Sequence, residues 1–233
     1  SKVAEFFDAS APPFLSMDFD NKSCSEDELQ VLAVRLLDWA AASTATSATP
    51  AEAPFANKPG LKLLWSFVEA VRATYKPLPY HSFRHCVDVA QMMCASLARP
   101  DVGAAVGRPT DRFCLVAACL LHDAGHVGAS NAHLRATNDP ILRSYASLEH
   151  YHAFLAGGIL ERSALVLERA GLNTPAARAE FAEAVRRLIL ATNPDEHDDA
   201  VAELSNRALN ASPLILHAGL IRMCDISNVC RPF

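Results

Sequence analysis

Leu115-Val116-Ala117-Ala118-Cys119-Leu120-Leu121-His122-Asp123 reads as seven apolar residues closed by an imidazole and a carboxylate. A run that is apolar on every side predicts a buried helix, here over about 111–124, rather than an amphipathic surface one. Polar groups at the end of such a helix are expensive to keep from water unless a cation or protons compensate them. His126 lies one turn further on. A similar pattern recurs near the end of the chain, where the mostly apolar run from Ile215 to Cys224 closes on Asp225. Between the two come Glu149 and His152, three residues apart. Upstream, His81-Ser82-Phe83-Arg84-His85 spaces two histidines four apart, which on a helix sets both imidazoles on one face.

Working outward, the rest of the chain carries the same helical signature. Ser25-Glu26-Asp27-Glu28 is a capping box, followed by Leu29, Leu32, Ala33, Leu36, Leu37 and Ala40 at helical spacing. Leu61 to Tyr75 is again helix-periodic and is closed by Pro77 and Pro79. Further helices are predicted at about 82–98, 140–145, 148–160, 162–171, 176–192 and 213–227. No stretch combines sustained alternation with β-branched residues and turn signals. The expected fold is all-α, a compact multi-helix bundle with a deep cleft where helix ends converge. Two parts are expected: residues 1–60 as a helical lead-in with an Ala/Ser/Pro-rich connection (41–59), and 61–233 as the functional core.

Composition narrows the function. The 233 residues are 51% hydrophobic and 20% charged, which is globular. A net charge of −5 with no basic run argues against a nucleic-acid partner. No apolar stretch approaches the roughly 18–20 residues of a membrane span. Ser1 to Ser10, with Glu5 and Asp8, has no apolar signal region. Seven cysteines without a C-x-x-C pair read as reduced core thiols, so a cytoplasmic protein is expected. Trp39, Trp65 and Phe67 are expected in the core and Met92-Met93 as gap fillers. Asp195-Glu196 with Asp198-Asp199 is expected to be a solvated acidic face, and His133 and His217 surface or packing residues.

Seven of the nine histidines fall between residues 81 and 152. Mixed imidazole and carboxylate ligation suits Zn²⁺, Mn²⁺ or Fe²⁺, and water-filled positions would admit a second, harder ion. A di-iron carboxylate bundle would need the Glu-x-x-His motif twice, and it occurs once, at Glu149.

Five ordered blocks carry a more specific signal. They are Tyr80-His81-Ser82-Phe83-Arg84-His85-Cys86-Val87-Asp88-Val89 with Gln91; Leu121-His122-Asp123-Ala124-Gly125-His126-Val127-Gly128 with Asn131; Leu148-Glu149-His150-Tyr151-His152; Leu190-Ala191-Thr192-Asn193 with His197; and Asp225-Ile226-Ser227-Asn228 with Arg231-Pro232. In order and spacing, over roughly Leu61 to Pro232, the chain resembles the HD-type hydrolases and, within them, the class I cyclic nucleotide phosphodiesterases of eukaryotes.

The resemblance implies metal-dependent hydrolysis of cAMP or cGMP to the 5′-monophosphate, by in-line attack of a hydroxide held between two cations. It implies that His85, His122, Asp123 and Asp225 ligate a tightly held Zn²⁺, and that Asp123 also reaches a second ion, Mg²⁺ or Mn²⁺. It gives His126, Glu149 and Thr192 the task of holding metal waters, His81 that of general acid, and Tyr80 and Asn228 places at the nucleotide pocket. Ser82, Val127 and His150-Tyr151 depart from the usual Asn, Pro and Asn-His. Asn193 stands where Asp is usual, removing one negative charge beside the metal waters. The resemblance also implies helices beyond Phe233 that read the base and orient the acid histidine, so cAMP-versus-cGMP preference is not legible here, and regulatory domains or partners belong to a longer parent protein. Two other readings keep the ligands: another HD-type phosphohydrolase, which would lack the blocks at His81 and Asp225, and a non-catalytic scaffold or nucleotide-sensing module, which Asn193 would favour.

Overall fold

The structure is a computed structural model that describes residues 12–42, 54–55, 57–106, 108–207 and 212–230. Among the described residues there is no strand, and twelve α-helices carry the fold. Helix α1 (Glu26–Ala42) starts at the anticipated box: the Ser25 N–H donates to Glu28 at 2.8 Å, and the Glu28 N–H to the Ser25 hydroxyl at 3.2 Å. Its six periodic apolar residues are all buried. Helix α2 (Lys58–Arg72) lies on α1, with Leu64, Phe67, Val68 and Val71 inward. Then come α3 (Phe83–Leu97), α4 (Pro100–Ala105) and α5 (Pro109–Leu121).

Helix α5 is the axis of the molecule, because its residues from Phe113 to Leu121 are all buried. A helix apolar all round needs cover on every side, and α1, α3 and α10 (Pro175–Leu190) supply it. Helices α6 (Asn131–Ala136), α7 (Pro140–Ser144), α8 (Leu148–Arg162) and α9 (Ala164–Arg169) lead to α10, on which α8 packs. Helices α11 (His197–Arg207) and α12 (Pro213–Asp225) follow, α12 against α3. Each fully buried Leu in this core contributes about 1.5–3 kcal/mol of transfer free energy.

The N-terminal segment is tied to α3. Phe14 is fully buried, and the Gln91 amide donates to the carbonyls of Phe14 (2.8 Å) and Ser16 (2.9 Å). Arg84 donates to the Asn21 carbonyl at 2.7 Å and pairs with Glu26 at 3.2 Å. The Ala/Ser/Pro-rich connection falls largely at 43–53 and 56, outside the described residues, as do Ser1 to Ser10 and Arg231-Pro232.

Three expectations need correction. His81 and His85 do not share a helix, since α3 begins at Phe83; Pro77 and Pro79 hold the preceding chain in an irregular path, and His81 sits in its final bend. Trp65 is 37% exposed rather than core. Helices α4, α6 and α11 were not anticipated, the first two being only six residues long. Cys24, Cys86, Cys94, Cys114, Cys119 and Cys224 are free and buried, and no described helix is long and apolar enough to cross a membrane.

Candidate metal centre

The apolar interior of α5 delivers His122, its C-cap residue, and Asp123 to one point inside the protein. His122 donates from Nδ1 to the Cys119 carbonyl at 2.8 Å, which fixes the tautomer and leaves a lone pair on Nε2. That nitrogen faces Oδ2 of Asp123 and Oδ1 of Asp225, each at 3.3 Å. His85, from the first turn of α3, places Nε2 3.0 Å from Asp225 Oδ1 and 3.7 Å from Asp123 Oδ2. Asp225 arrives as the last residue of α12.

His85 Nε2 and Asp225 Oδ1 share a hydrogen bond at 3.0 Å, but the rest of the centre is left unsatisfied. His122 Nε2 and Asp123 Oδ2 are buried with no hydrogen-bond partner. Donor atoms of His85, His122 and Asp225 all lie within 4.8 Å of one another. Nitrogen and oxygen ligands about 2.1 Å from a tetrahedral ion would stand roughly 3.4 Å apart, so these separations fit a divalent cation. The charges fit as well. Burial disfavours protonated His122, yet Asp123 and Asp225 outweigh it and raise the imidazole pKa well above its usual value. Burial likewise pushes both carboxyls up, but His122 above all overrides it and holds them far below the ordinary range.

A second group adjoins the first across Asp123, formed with His126 and His152. His152 donates from Nδ1 to the Ala124 carbonyl at 2.7 Å and turns Nε2 to within 3.9 Å of Asp123 Oδ1. His126 is oriented the other way. Its Nδ1 accepts from the Gly128 N–H at 3.0 Å, so the ring proton sits on Nε2. Burial, opposed by Asp123, brings the His126 pKa down to about 4, so it is a neutral donor. The turn between them needs Gly125: its φ is +76°, and a Cβ there would meet Leu155 at 2.3 Å. His81 stacks on His126 with ring centroids 3.8 Å apart and planes 12° from parallel; burial lowers its pKa, with Asp123 partly opposing.

The two groups open into a cleft of about 550 Å³ lined by Tyr80, His81, Asp123, His126, Glu149 and Thr192, among others. Both Glu149 oxygens accept from the Asn131 amide, at 3.3 and 3.1 Å, while Asn131 accepts from the Leu148 N–H at 2.8 Å. Thr192 donates its hydroxyl to the Ile189 carbonyl at 2.8 Å. The Tyr80 hydroxyl donates to Asn228 Oδ1 at 3.3 Å, and its ring lies 4.6 Å from that of His85. All ten site residues expected from the sequence therefore gather at or beside this cleft, although His85, His122 and Asn228 do not line its wall.

Asn193 turns aside. Its amide donates to Glu196 at 3.1 Å and its oxygen accepts the Asp195 N–H at 3.1 Å, so it caps the 3₁₀ turn Pro194–Glu196 instead of facing the metal cluster. Sequence reasoning assigned no task to Asn131, His152 or Arg222. Asn131 and His152 stood inside matched blocks; Arg222, three residues before Asp225, carried only the helical spacing as a signal.

The family model for 3′5′-cyclic nucleotide phosphodiesterase matches residues 80–233. Among curated relatives, the Drosophila melanogaster "High affinity cGMP-specific 3′,5′-cyclic phosphodiesterase 9A" is 31% identical over 68% of this chain and 11% of its own length. The Dictyostelium discoideum "cGMP-specific 3′,5′-cGMP phosphodiesterase 3" is 26% identical over 72% of this chain and 38% of its own. The chain thus spans well under half the length of these two relatives. The phosphodiesterase domain of the RhoPDE fusion protein from the choanoflagellate Salpingoeca rosetta superposes with a TM-score of 0.78 at 22% identity, over 96% of this chain and 70% of that domain, which shows the shared all-α fold.

Proposed function

Because the chain belongs to the 3′5′-cyclic nucleotide phosphodiesterase family, we propose that its parent protein hydrolyses a 3′,5′-cyclic nucleotide to the 5′-monophosphate, with cGMP the first substrate to test since both relatives above are named for it. The observation that carries the reading is the pair of buried atoms without a hydrogen bond, His122 Nε2 and Asp123 Oδ2, at the end of an apolar helix. Groups left unsatisfied there at such cost are explained by a resident cation.

In this reading His85, His122, Asp123 and Asp225 would hold Zn²⁺, and Asp123 would also serve a second, harder ion, Mg²⁺ or Mn²⁺. Bound there, such cations would supply Lewis acidity, activating water and offsetting the phosphoryl charge. The chain's own groups do the rest. Glu149, held by Asn131, and Thr192 orient water in the cleft. His126 offers its Nε2–H as a neutral donor. His81, which reaches the cleft from the bend before α3, protonates the departing 3′ oxygen. Tyr80 lines the nucleotide pocket, and Asn228, beside it, holds the Tyr80 hydroxyl.

The test is a hydrolysis assay of the full-length parent protein on cGMP and cAMP, before and after chelation and with added divalent ions. Turnover that disappears on chelation and returns with metal is expected. A metal-loaded protein that binds two ions and leaves both nucleotides intact would overturn the activity.

A further inference from the structure

The cleft is acidic at its floor and carries one fixed cation on its wall. Asp123, Glu149 and Asp225 line the floor; Arg222 is the sole arginine or lysine among the lining residues. Its place follows from the helix: Arg222 and Asp225 are three apart on α12, so they share a face.

The guanidinium is poorly committed. One terminal nitrogen donates to the Asn193 carbonyl at 3.3 Å, and Nε is buried with no partner. Glu196 and Asp225 are near enough to act on it electrostatically. Among the described residues, however, Arg222 forms no ion pair with any carboxylate. A half-buried guanidinium with no direct ion pair is costly, and a ligand anion in the cleft relieves that cost. The planar fork of an arginine suits two phosphoryl oxygens at once, which a flexible ammonium does not.

We propose that Arg222 binds the phosphate of the nucleotide in the metal cleft, as the cleft's own protein-borne anion receptor. The proposal rests on the phosphodiesterase reading and adds a substrate-binding residue to it. Ring opening turns a singly charged diester into a monoester of charge about −1.5 to −2 at neutral pH, so Arg222 holds the product more strongly than the substrate.

The experiment uses the metal-loaded full-length protein as wild type, Arg222→Gln and Arg222→Lys. Inorganic phosphate binding is measured by calorimetry, and KM and kcat for cGMP and cAMP by assay. Loss of a charge-assisted contact should weaken phosphate binding in Arg222→Gln about tenfold to a hundredfold. KM should rise by a similar factor with kcat nearly unchanged, and Arg222→Lys should recover part of both. Equal phosphate affinity in wild type and Arg222→Gln overturns the proposal, as does a wild type that binds no phosphate. A lowered melting temperature with phosphate affinity intact assigns Arg222 to the Asn193 tie alone and also overturns it. Should no variant hydrolyse a cyclic nucleotide, the phosphodiesterase reading falls, and the phosphate titration still decides the role of Arg222.

Discussion

The two ends of α5 obey different rules. At the start, the Arg108 N–H donates to the Asp111 carboxylate at 2.9 Å, and the Arg108 guanidinium reaches the same group at 3.3 Å. The Asp111 carboxylate there is partnered and Arg108 is largely in water. At the other end His122 and Asp123 lie buried, and each keeps an atom with no hydrogen bond. One helix of 13 residues thus begins as an ordinary capped segment and ends as an arrangement that folding alone would not favour. Groups that only support the fold are satisfied by the fold; groups that remain unsatisfied mark what the fold is built to hold.

The largest expected effect comes from breaking the unsatisfied end. In Asp225→Ala, Oδ1 no longer bridges His85 and His122, which it approaches at 3.0 and 3.3 Å. Metal content should fall by at least one equivalent and turnover by about a thousandfold or more. A ligand that binds only the folded state at a hundred times its Kd stabilises by about 2.7 kcal/mol. Added metal should therefore raise the melting temperature of wild type and leave that of Asp225→Ala unmoved. Metal uptake by the variant equal to wild type would break the comparison at its centre.

Next in size is His81→Asn, which separates chemistry from metal holding. His81 lies on the cleft side of His126, 6.2 Å between ring centroids from His85. Both metal equivalents should stay while turnover falls about a hundredfold to ten-thousandfold, the span of a lost general acid. Metal loss in this variant would move His81 into the ligand set and end its assignment as the acid.

Why these residues were legible in the sequence, and others not, follows from the same contrast. An apolar run that ends in His122-Asp123 or Asp225 is a local pattern, and so is the spacing of His81 and His85. The buried faces of α1 and the wholly buried α5 were legible because periodicity and apolarity report burial directly. Arg222 was not, since an arginine on a helix is usually solvated and its place on the cleft wall depends on how α12 meets the corner at Asn193. The short α4 and α6 carry too few turns to show a period. The bend that takes His81 out of α3 follows Pro77 and Pro79, but its end is set by tertiary contact: Ser82, at the helix start, makes no side-chain cap, and Arg84 instead holds Asn21 and Glu26.

Asn193 tests whether closeness to the cluster is enough to belong to it. The resemblance places a carboxylate there, beside the metal waters, yet the amide is committed to Glu196 and to the Asp195 N–H. Asn193→Asp removes the donor and sets two carboxylates about a hydrogen bond apart. It should cost about 1–2 kcal/mol, a melting decrease of about 2–8 °C for a chain of this size, with metal stoichiometry unchanged. A tighter second metal equivalent without that decrease would place Asn193 with the unsatisfied end and blur the contrast.

The smallest effect belongs to the satisfied end itself. Asp111→Ala removes the acceptor of the Arg108 N–H and breaks an ion pair that is worth little because its Arg108 half lies in water. The loss of a helix-start interaction of this kind is about 1 kcal/mol, or roughly 2–4 °C in melting temperature. Metal content and turnover should match wild type, although Asp111 belongs to the same helix as His122. Transmission along α5 would look different: a rigid, fully packed helix that shifted as a body would carry the disturbance to Asp123 and lower metal affinity as well. If metal affinity falls together with stability in Asp111→Ala, the two ends are one mechanical unit, and their chemistry cannot be separated by position along the helix.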